Sequence, residues 1–592
     1  MADPVSTESP AKVRGHWWFA PAWGGVAVAL TVGIALFFGL FAMPPVDRDE
    51  ARFAQASAQM ARGGWPEDWV VPRVQDRPRL NKPPLIYWLQ AASTRIARVV
   101  DAQWDANPSL RGIGWYRVPS ALCSILAALI TWRLAWLMCA GEFKRRRCAM
   151  LAGILLGTCV MVLWDGRQAR ADELLLACTT LAMAGLWGVW KGARGAWAIM
   201  WIGIALGVMA KGPITPMVAL LTAIVLTWAK RDKKWLRRTR PVLGVAIVLS
   251  MGLPWILLVM REVGAKEYLR IIVDETIGRS AGAKEGHWGP PGYHLVLLPV
   301  MFFPGSLLTA AAIAQAIRSG ASKMDSAPMR TTRQRVRRVR RWCARMDDVS
   351  LFCLAWVVPS WIVFECIGTK LPHYTLPLYP ALAILSARAV MRGVRAGRLA
   401  AVVWALLGIT IVCVGPMLLM EWGSFSWGAA WRGAAIAGAV AACATVVAAA
   451  ALAWRGRTDY AQAMGVIGMV IGAAVMFGVV LPGIDRPWIS SRVSEILAEH
   501  DPLGERPVAL VGYGEDSMIF LTGGRAERMG RKGMQAWSAQ HPRGVIVSRL
   551  DAMADIVAQM PLLQEFGRVD GFNYAKMEAT EIAVVHGVTS TQ

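Results

Sequence analysis

Apolar stretches of about 20 residues recur along the whole chain, and no other feature constrains its fold as strongly. In hydrocarbon every backbone N–H and C=O must be satisfied within its own segment, so each stretch reads as a spanning helix. The 592 residues are 55% hydrophobic and include 29 tryptophans. Their mean hydropathy is +0.40. A soluble chain of that length would divide into domains with far more polar surface. The expectation is a polytopic α-helical membrane protein of about thirteen spans. They fall near 23–43, 118–139, 148–163 and 174–190, then on either side of Lys211-Gly212-Pro213. The rest fall near 242–259, 295–317, 349–367, 376–390, 399–420, 433–454 and 464–481. The first run reads as a retained anchor, because it is too long for a leader's apolar core and lacks a small-residue cleavage site before Asp47.

The formal net charge of +24 does not point to nucleic acid. The cations gather in short loops: 144–147, 230–240, 331–345, and around Arg392, Arg395, Arg398, Arg455 and Arg457. The span count puts all of these on one side, as the positive-inside rule requires, with the N-terminus beside them in the cytoplasm. The most basic loop, TTRQRVRRVRRWCAR, reads as a solvated segment that also meets anionic headgroups. The ten cysteines lie in apolar runs or basic loops, so no disulfide framework is expected.

The opposite side carries the unusual chemistry. Residues 46–90 hold Asp47, Asp49 and Glu50 at the mouth of the first span, and Lys82-Pro83-Pro84 near the end. Carboxylates there are costly unless they face water, a partner charge or a substrate. Phe53, Ser57 and Met60 suit a short amphipathic helix in the interface plane. Residues 85–98 suit a second one, with Tyr87 and Trp88 at headgroup level. Asp49 and Asp172 are the far-side carboxylates; Lys82, Arg117, Lys211, Arg279 and Lys370 are the far-side cations. A snorkelling side chain at a helix end explains any one of these cations. Several on one face with few acidic partners make a stronger case together.

After Pro482 the composition turns polar. Residues 484–592 read as a small α/β domain, which the odd span count places outside. Residues 508–511, 545–547 and 582–585 read as strands, and 551–560 as a helix. Gly512-Tyr513-Gly514 reads as a strand-to-helix turn rather than a phosphate loop.

Asp49-Glu50-Ala51-Arg52-Phe53, Gly64-Trp65 and Lys82-Pro83-Pro84-Leu85 resemble the first extracytoplasmic loop of polyprenyl-phosphate-dependent GT-C glycosyltransferases. These are the enzymes of the protein mannosyltransferase and lipid A aminoarabinose transferase type. Asn81 stands where the aminoarabinose transferases usually carry Glu, so the sugar stays open. The resemblance spans residues 20–390 and divides the chain into a GT-C membrane domain (1–483, with 44–115 as its first periplasmic loop) and the soluble domain 484–592.

The resemblance implies transfer of a sugar from an undecaprenyl monophosphate donor to a lipid, glycan or protein acceptor at the periplasmic leaflet of the bacterial inner membrane. It makes Asp49 the base, and Asp172, in Arg170-Ala171-Asp172, a second acidic group shaping the acceptor site. It makes Lys82, Arg279, Lys370, Tyr374, Arg117 and Lys211 the donor-phosphate residues, with Lys370-Leu371-Pro372-His373-Tyr374 a close match to the motif near the lipid phosphate. Glu50, Arg52, Glu275, His287 and His373 take acceptor or supporting roles; Thr276 stands where the motif's His is usual. No cofactor or catalytic metal is expected: the family's transfer is metal-independent, and the spacing of His287, His294 and His373 fits no ligand pattern. The rival reading is a transporter or lipid flippase. That would require internal repeats and broken helices at mid-depth, whereas here the charges lie at helix ends.

Overall fold

The computed structural model describes residues 22–64, 67–101, 105, 107–274, 289–320, 331–560 and 562–587. Among the described residues, seven helices are long and apolar enough to cross a membrane, and three shorter apolar ones are Ala22–Phe37, Ala196–Lys211 and Ile214–Lys230. The three other expected spans are broken or short. Residues near 148–163 form Arg145–Gly157 and then Val160–Asp165, where Val160 N donates to Phe303 O. Residues near 295–317 divide into Tyr293–Met301 and Thr309–Ser319, and residues near 376–390 form Tyr379–Met391.

The helix Asp172–Trp190 lies at the centre, with 17 of its 19 residues buried. Small residues let its neighbours close in. A Cβ on Gly185 would lie 2.3 Å from Met200 N, and one on Gly203 would lie 2.5 Å from Ala182 N. Peripheral helices such as Pro241–Val263 and Gly428–Trp454 turn Leu and Val side chains outward, as lipid-facing surfaces do.

The first loop departs from the sequence expectation. Helix Asp49–Arg62 does not present one open face: ten of its 14 residues are buried. Helix Leu85–Val100 packs on one side of it, and Asp516–Leu521 of the C-terminal region roofs it. Tyr87 is fully buried against Phe53, and its hydroxyl accepts from Arg79 Nε at 3.1 Å. Amphipathic spacing marks an apolar face but not what covers the other one.

The C-terminal region holds a five-stranded sheet. Its order is Ala526–Met529, Val508–Val511, Val545–Arg549, Glu578–Gly587, Leu563–Asn573. The first three strands are parallel and the last two antiparallel. The three inner strands are where the sequence places them, at 508–511, 545–547 and 582–585. Both edge strands, 526–529 and 563–573, escaped it: AERM and LQEFGRVDGFN carry too many polar residues for a buried-strand pattern. The expected helix 551–560 is a tight turn followed by Met553–Gln559. Gly512 takes φ +74°, and Tyr513 points inward to bond Ser490 at 2.8 Å, so the Gly-x-Gly is a turn.

Candidate functional site

Asp49 begins its helix immediately after Arg48, whose φ of 64° lies where L side chains seldom sit. That bend is held from the sheet domain. Asp47 N donates to Tyr574 Oη at 2.7 Å, Ser517 N donates to Asp47 Oδ1 at 3.1 Å, and the Arg48 guanidinium donates to Ala575 O. The Asp49 carboxylate is half exposed, with Arg79 Nη2 at 3.6 Å and Arg170 Nη2 at 3.7 Å. Burial pushes this carboxyl's pKa up. Arg170, then Arg79, Lys82 and Lys211, more than offset that, and hold it below the usual carboxylate range.

Arg170 is the hub. Besides Asp49, its guanidinium lies 3.5 Å from Asp165 Oδ1, 3.7 Å from Asp172 Oδ2, 3.3 Å from Gln168 Oε1 and 3.5 Å from His373 Nε2. Burial lowers the Arg170 pKa, but Asp172, Asp165 and Asp49 reverse that and leave it raised. Asp172, at the N-terminus of the central helix, accepts from Lys211 Nζ at 2.6 Å and faces His373 Nε2 at 3.4 Å. Burial carries the His373 pKa well down, so its ring is neutral near pH 7.

The expected residues divide. Asp49, Asp172, Lys211 and His373 come together around Arg170. Lys82 belongs to the same field through its pull on Asp49. Lys370 is buried next door, but its ammonium donates to Glu365 O and Ile367 O at 2.8 Å each. Tyr374 stacks on His294 and meets His373 edge-on. Arg52 donates to Asp516 Oδ2 at 2.6 Å and so ties the first loop to the sheet domain.

Two expected site residues take structural roles instead. Arg117 is fully buried, and its guanidinium donates to Glu50 Oε1 and Oε2 and to Leu40 O, Met43 O and Pro44 O. A guanidinium has five N–H groups, so none remains for a phosphate. Glu50 also accepts from Val46 N and Ala169 N, which removes it from the acceptor side. Glu275, Arg279 and His287 lie outside the described residues.

Arg170, Asp165 and Arg79 were not singled out from the sequence. The segment WDGRQARADE offers two arginines and three carboxylates. Only the fold shows that Arg167 turns to the carbonyls of Phe38, Leu163 and Ala35 while Arg170 turns to the carboxylates. Asp165, Asp172 and His373 form a set whose ligand atoms lie within 4.8 Å of one another, close enough for a metal. Lys211 and Arg170 already pair with those carboxylates, so a dication would meet two cations there.

Two cavities meet at Arg52 and Asn81. One, of about 720 Å³, has a polar mouth at Asp49, Arg170 and His373 and an apolar depth lined by Trp164, Met301, Met469, Phe477 and others. The second, of about 930 Å³, lies between the first loop and the sheet domain, and its charged lining is six arginines, Arg52, Arg62, Arg77, Arg79, Arg525 and Arg528, against Asp76, Asp516 and Glu527.

Residues 81–258 match the family model of dolichyl-phosphate-mannose-protein mannosyltransferase. Among curated proteins the chain is similar to the undecaprenyl phosphate-alpha-4-amino-4-deoxy-L-arabinose arabinosyl transferase of Yersinia pestis (strain Pestoides F), 27% identical over 366 residues, 60% of this chain and 58% of that protein. It is as similar to its counterpart from Pectobacterium carotovorum subsp. carotovorum (strain PC1), 27% identical over 62% of this chain and 59% of that one. These matches span under two thirds of the relatives' own length. The fold matches that of ArnT from Cupriavidus metallidurans bound to undecaprenyl phosphate, with a TM-score of 0.67, 19% identity and 97% and 99% of the two chains covered.

The apolar helices and this match together define a multi-pass membrane architecture with the GT-C fold. Its sequence similarity runs to the aminoarabinose transferases named above and, over residues 81–258, to the mannosyltransferase family model.

Proposed function

We propose that this chain transfers a sugar from a polyprenyl monophosphate, of the undecaprenyl kind, to an acceptor on the face of the bacterial inner membrane where the sheet domain sits. On this reading residues 1–483 form the membrane domain, 44–115 its first periplasmic loop and 484–592 a periplasmic domain. The observation that carries the proposal is the 720 Å³ cavity, whose apolar depth ends at an Asp49–Arg170 mouth. An isoprenoid tail fits the depth, and a charged headgroup requires the mouth.

The acceptor hydroxyl lies against the Asp49 carboxylate, which takes its proton. The acceptor oxygen attacks the anomeric carbon, and the bond from that carbon to the phosphate oxygen breaks with its electron pair on the phosphate. The leaving group gains negative charge, which Arg170, Lys211 and Lys82 stabilise from one side. The arginine-lined second cavity supports an acceptor that carries anionic groups, entering between the first loop and the sheet domain.

The test is transfer of labelled sugar from purified undecaprenyl-phosphate sugars, with wild type beside Asp49→Asn. We expect transfer from one donor, lost in the variant while folding is retained. Transfer preserved in the variant would refute the role of Asp49. No transfer with any donor, by demonstrably folded protein, would favour the transporter reading.

A further inference from the structure

Helix Thr332–Arg345 is built for an interface and buries none of its own residues. It is capped reciprocally by the Thr331 and Gln334 side chains, so it is a formed helix and not a loose basic loop. At 14 residues it is about 21 Å long. Val336, Val339 and Cys343 fall on one stripe at helical spacing, and the two valines are about half exposed (49% and 47%). Arg337, Arg338 and Arg341 occupy the opposite arc, and Arg333, Arg335 and Arg340 flank the stripe. No Asp or Glu interrupts residues 331–345. Two fixed points hold the helix to the bundle: Trp342 Nε1 donates to Ile317 O at 2.9 Å, and Lys230 Nζ donates to Ala344 O at 3.2 Å.

The second contact brings the 230–240 loop, also basic, beside the helix. Arg340 has Arg231, Arg337 and Arg341 as like-charged neighbours. Within the 230–240 loop the one carboxylate, Asp232, accepts from Lys234 N at 2.8 Å, and the others close by are engaged in ion pairs. Asp348 pairs with Lys191 and Lys230, Asp347 with Arg388, and Glu142 with Arg388 and Arg392. Like charges held this close on a pinned scaffold lower their mutual repulsion by gathering anions. The apolar stripe beside them requires an anion that comes with acyl chains.

We propose that helix Thr332–Arg345, with the adjoining 230–240 loop, is a docking surface for anionic phospholipid headgroups of the bilayer leaflet on the basic-loop side. The valine stripe sinks to the acyl boundary while the arginines bind the phosphates. The surface lies on the opposite side from Asp49, so it anchors that end of the bundle independently of any chemistry at the cavity.

The full chain is exchanged into an equimolar phosphatidylglycerol and phosphatidylcholine mixture and extracted gently, and the lipid that stays with it is quantified by mass spectrometry. The wild type is expected to retain phosphatidylglycerol in excess. Arg335→Gln/Arg337→Gln/Arg340→Gln/Arg341→Gln should cut the retained ratio by about threefold or more. Arg395→Gln/Arg398→Gln/Arg455→Gln/Arg457→Gln, which removes equal charge elsewhere on the same side, should leave most of it. The four-lysine version of the helix should keep the preference. An unchanged ratio in the helix variant, an equal fall in both glutamine variants, or loss in the lysine variant would each overturn the proposal. Size-exclusion profiles and melting curves of all variants establish that they are folded.

Discussion

Arg52, one turn into the helix that Asp49 begins, donates to the Asp516 carboxylate of the sheet domain at 2.6 Å. Asp516 is nearly buried and also accepts from Arg528 at 2.8 Å. With Tyr574 and Ser517 gripping Asp47, this makes the sheet domain a clamp on the one segment that carries the proposed base. A separate domain that only bound partners would have no reason to hold residues 47–52 from three directions.

The clamp is therefore expected to control transfer. Asp516→Ala and Arg52→Gln should each lower transfer about tenfold or more, and the double variant should be little worse than either alone, because both remove one coupled interaction. Removing residues 484–592 should abolish transfer and not merely reduce it. Rates of labelled-sugar transfer on the four proteins measure this. Additive losses would mean that the two residues act separately.

A second expectation concerns pH. Burial pushes the Asp47 carboxyl from 3.8 up to about 7, against the Ser517 hydrogen bonds and with help from the Glu515 and Asp516 charges. Its folded pKa thus exceeds its unfolded one. Below the unfolded value the group is protonated in both states and costs nothing. As pH rises from about 4 to about 7 the folded state pays an increasing penalty, which levels off above that. Asp47→Asn keeps an oxygen for Ser517 N but cannot ionise. It should raise the melting temperature at pH 8 and leave it nearly unchanged at pH 4. A melt series in a pH-stable detergent decides it; equal shifts at both pH values would contradict the assignment.

The sequence made the membrane architecture legible because hydropathy is local: a run of apolar residues is a span wherever it packs. Asp49 and Asp172 were legible for the same reason, since a carboxylate at a membrane helix end needs justification from its own position. Partnership is not local. Arg117 looked like the other far-side cations, but it lies 67 residues from Glu50, and only the fold shows that pair. Arg170 and Arg167 are three residues apart in one short loop, and backbone direction alone makes one a hub and the other a brace. The polar edge strands were lost because their partners, not their composition, make them strands.

Arg170 carries the sharpest expectation for chemistry. It contacts Asp49, Asp165 and Asp172 at once, which requires a planar fork. An ammonium cannot span three carboxylates in that way. Arg170→Lys should lower transfer by about 10² and Arg170→Gln by more. The acid limb of the pH–rate profile should also move to higher pH in Arg170→Gln. Burial alone raises the Asp49 carboxyl, and Arg170 is the first of the cations that bring it down. A rate loss with an unmoved acid limb would reduce Arg170 to a structural role.

The Glu50–Arg117 pair should behave in the opposite way, as a determinant of folding and not of chemistry. Both side chains are fully buried, and the guanidinium's five bonds tie the end of the first span, residues 40–44, to the loop helix. Neutralising one partner strands the other charge out of water, at a cost of about 3–5 kcal/mol. Glu50→Gln and Arg117→Gln are thus expected to yield little extractable protein, with what survives melting well below wild type. Asp49→Asn, one residue away, should express and melt normally yet transfer nothing. The contrast is measured by fluorescence-detected size exclusion with heating. Should Glu50→Gln melt as wild type while losing transfer, Glu50 would return to the acceptor side and the buried pair would not be what holds the loop.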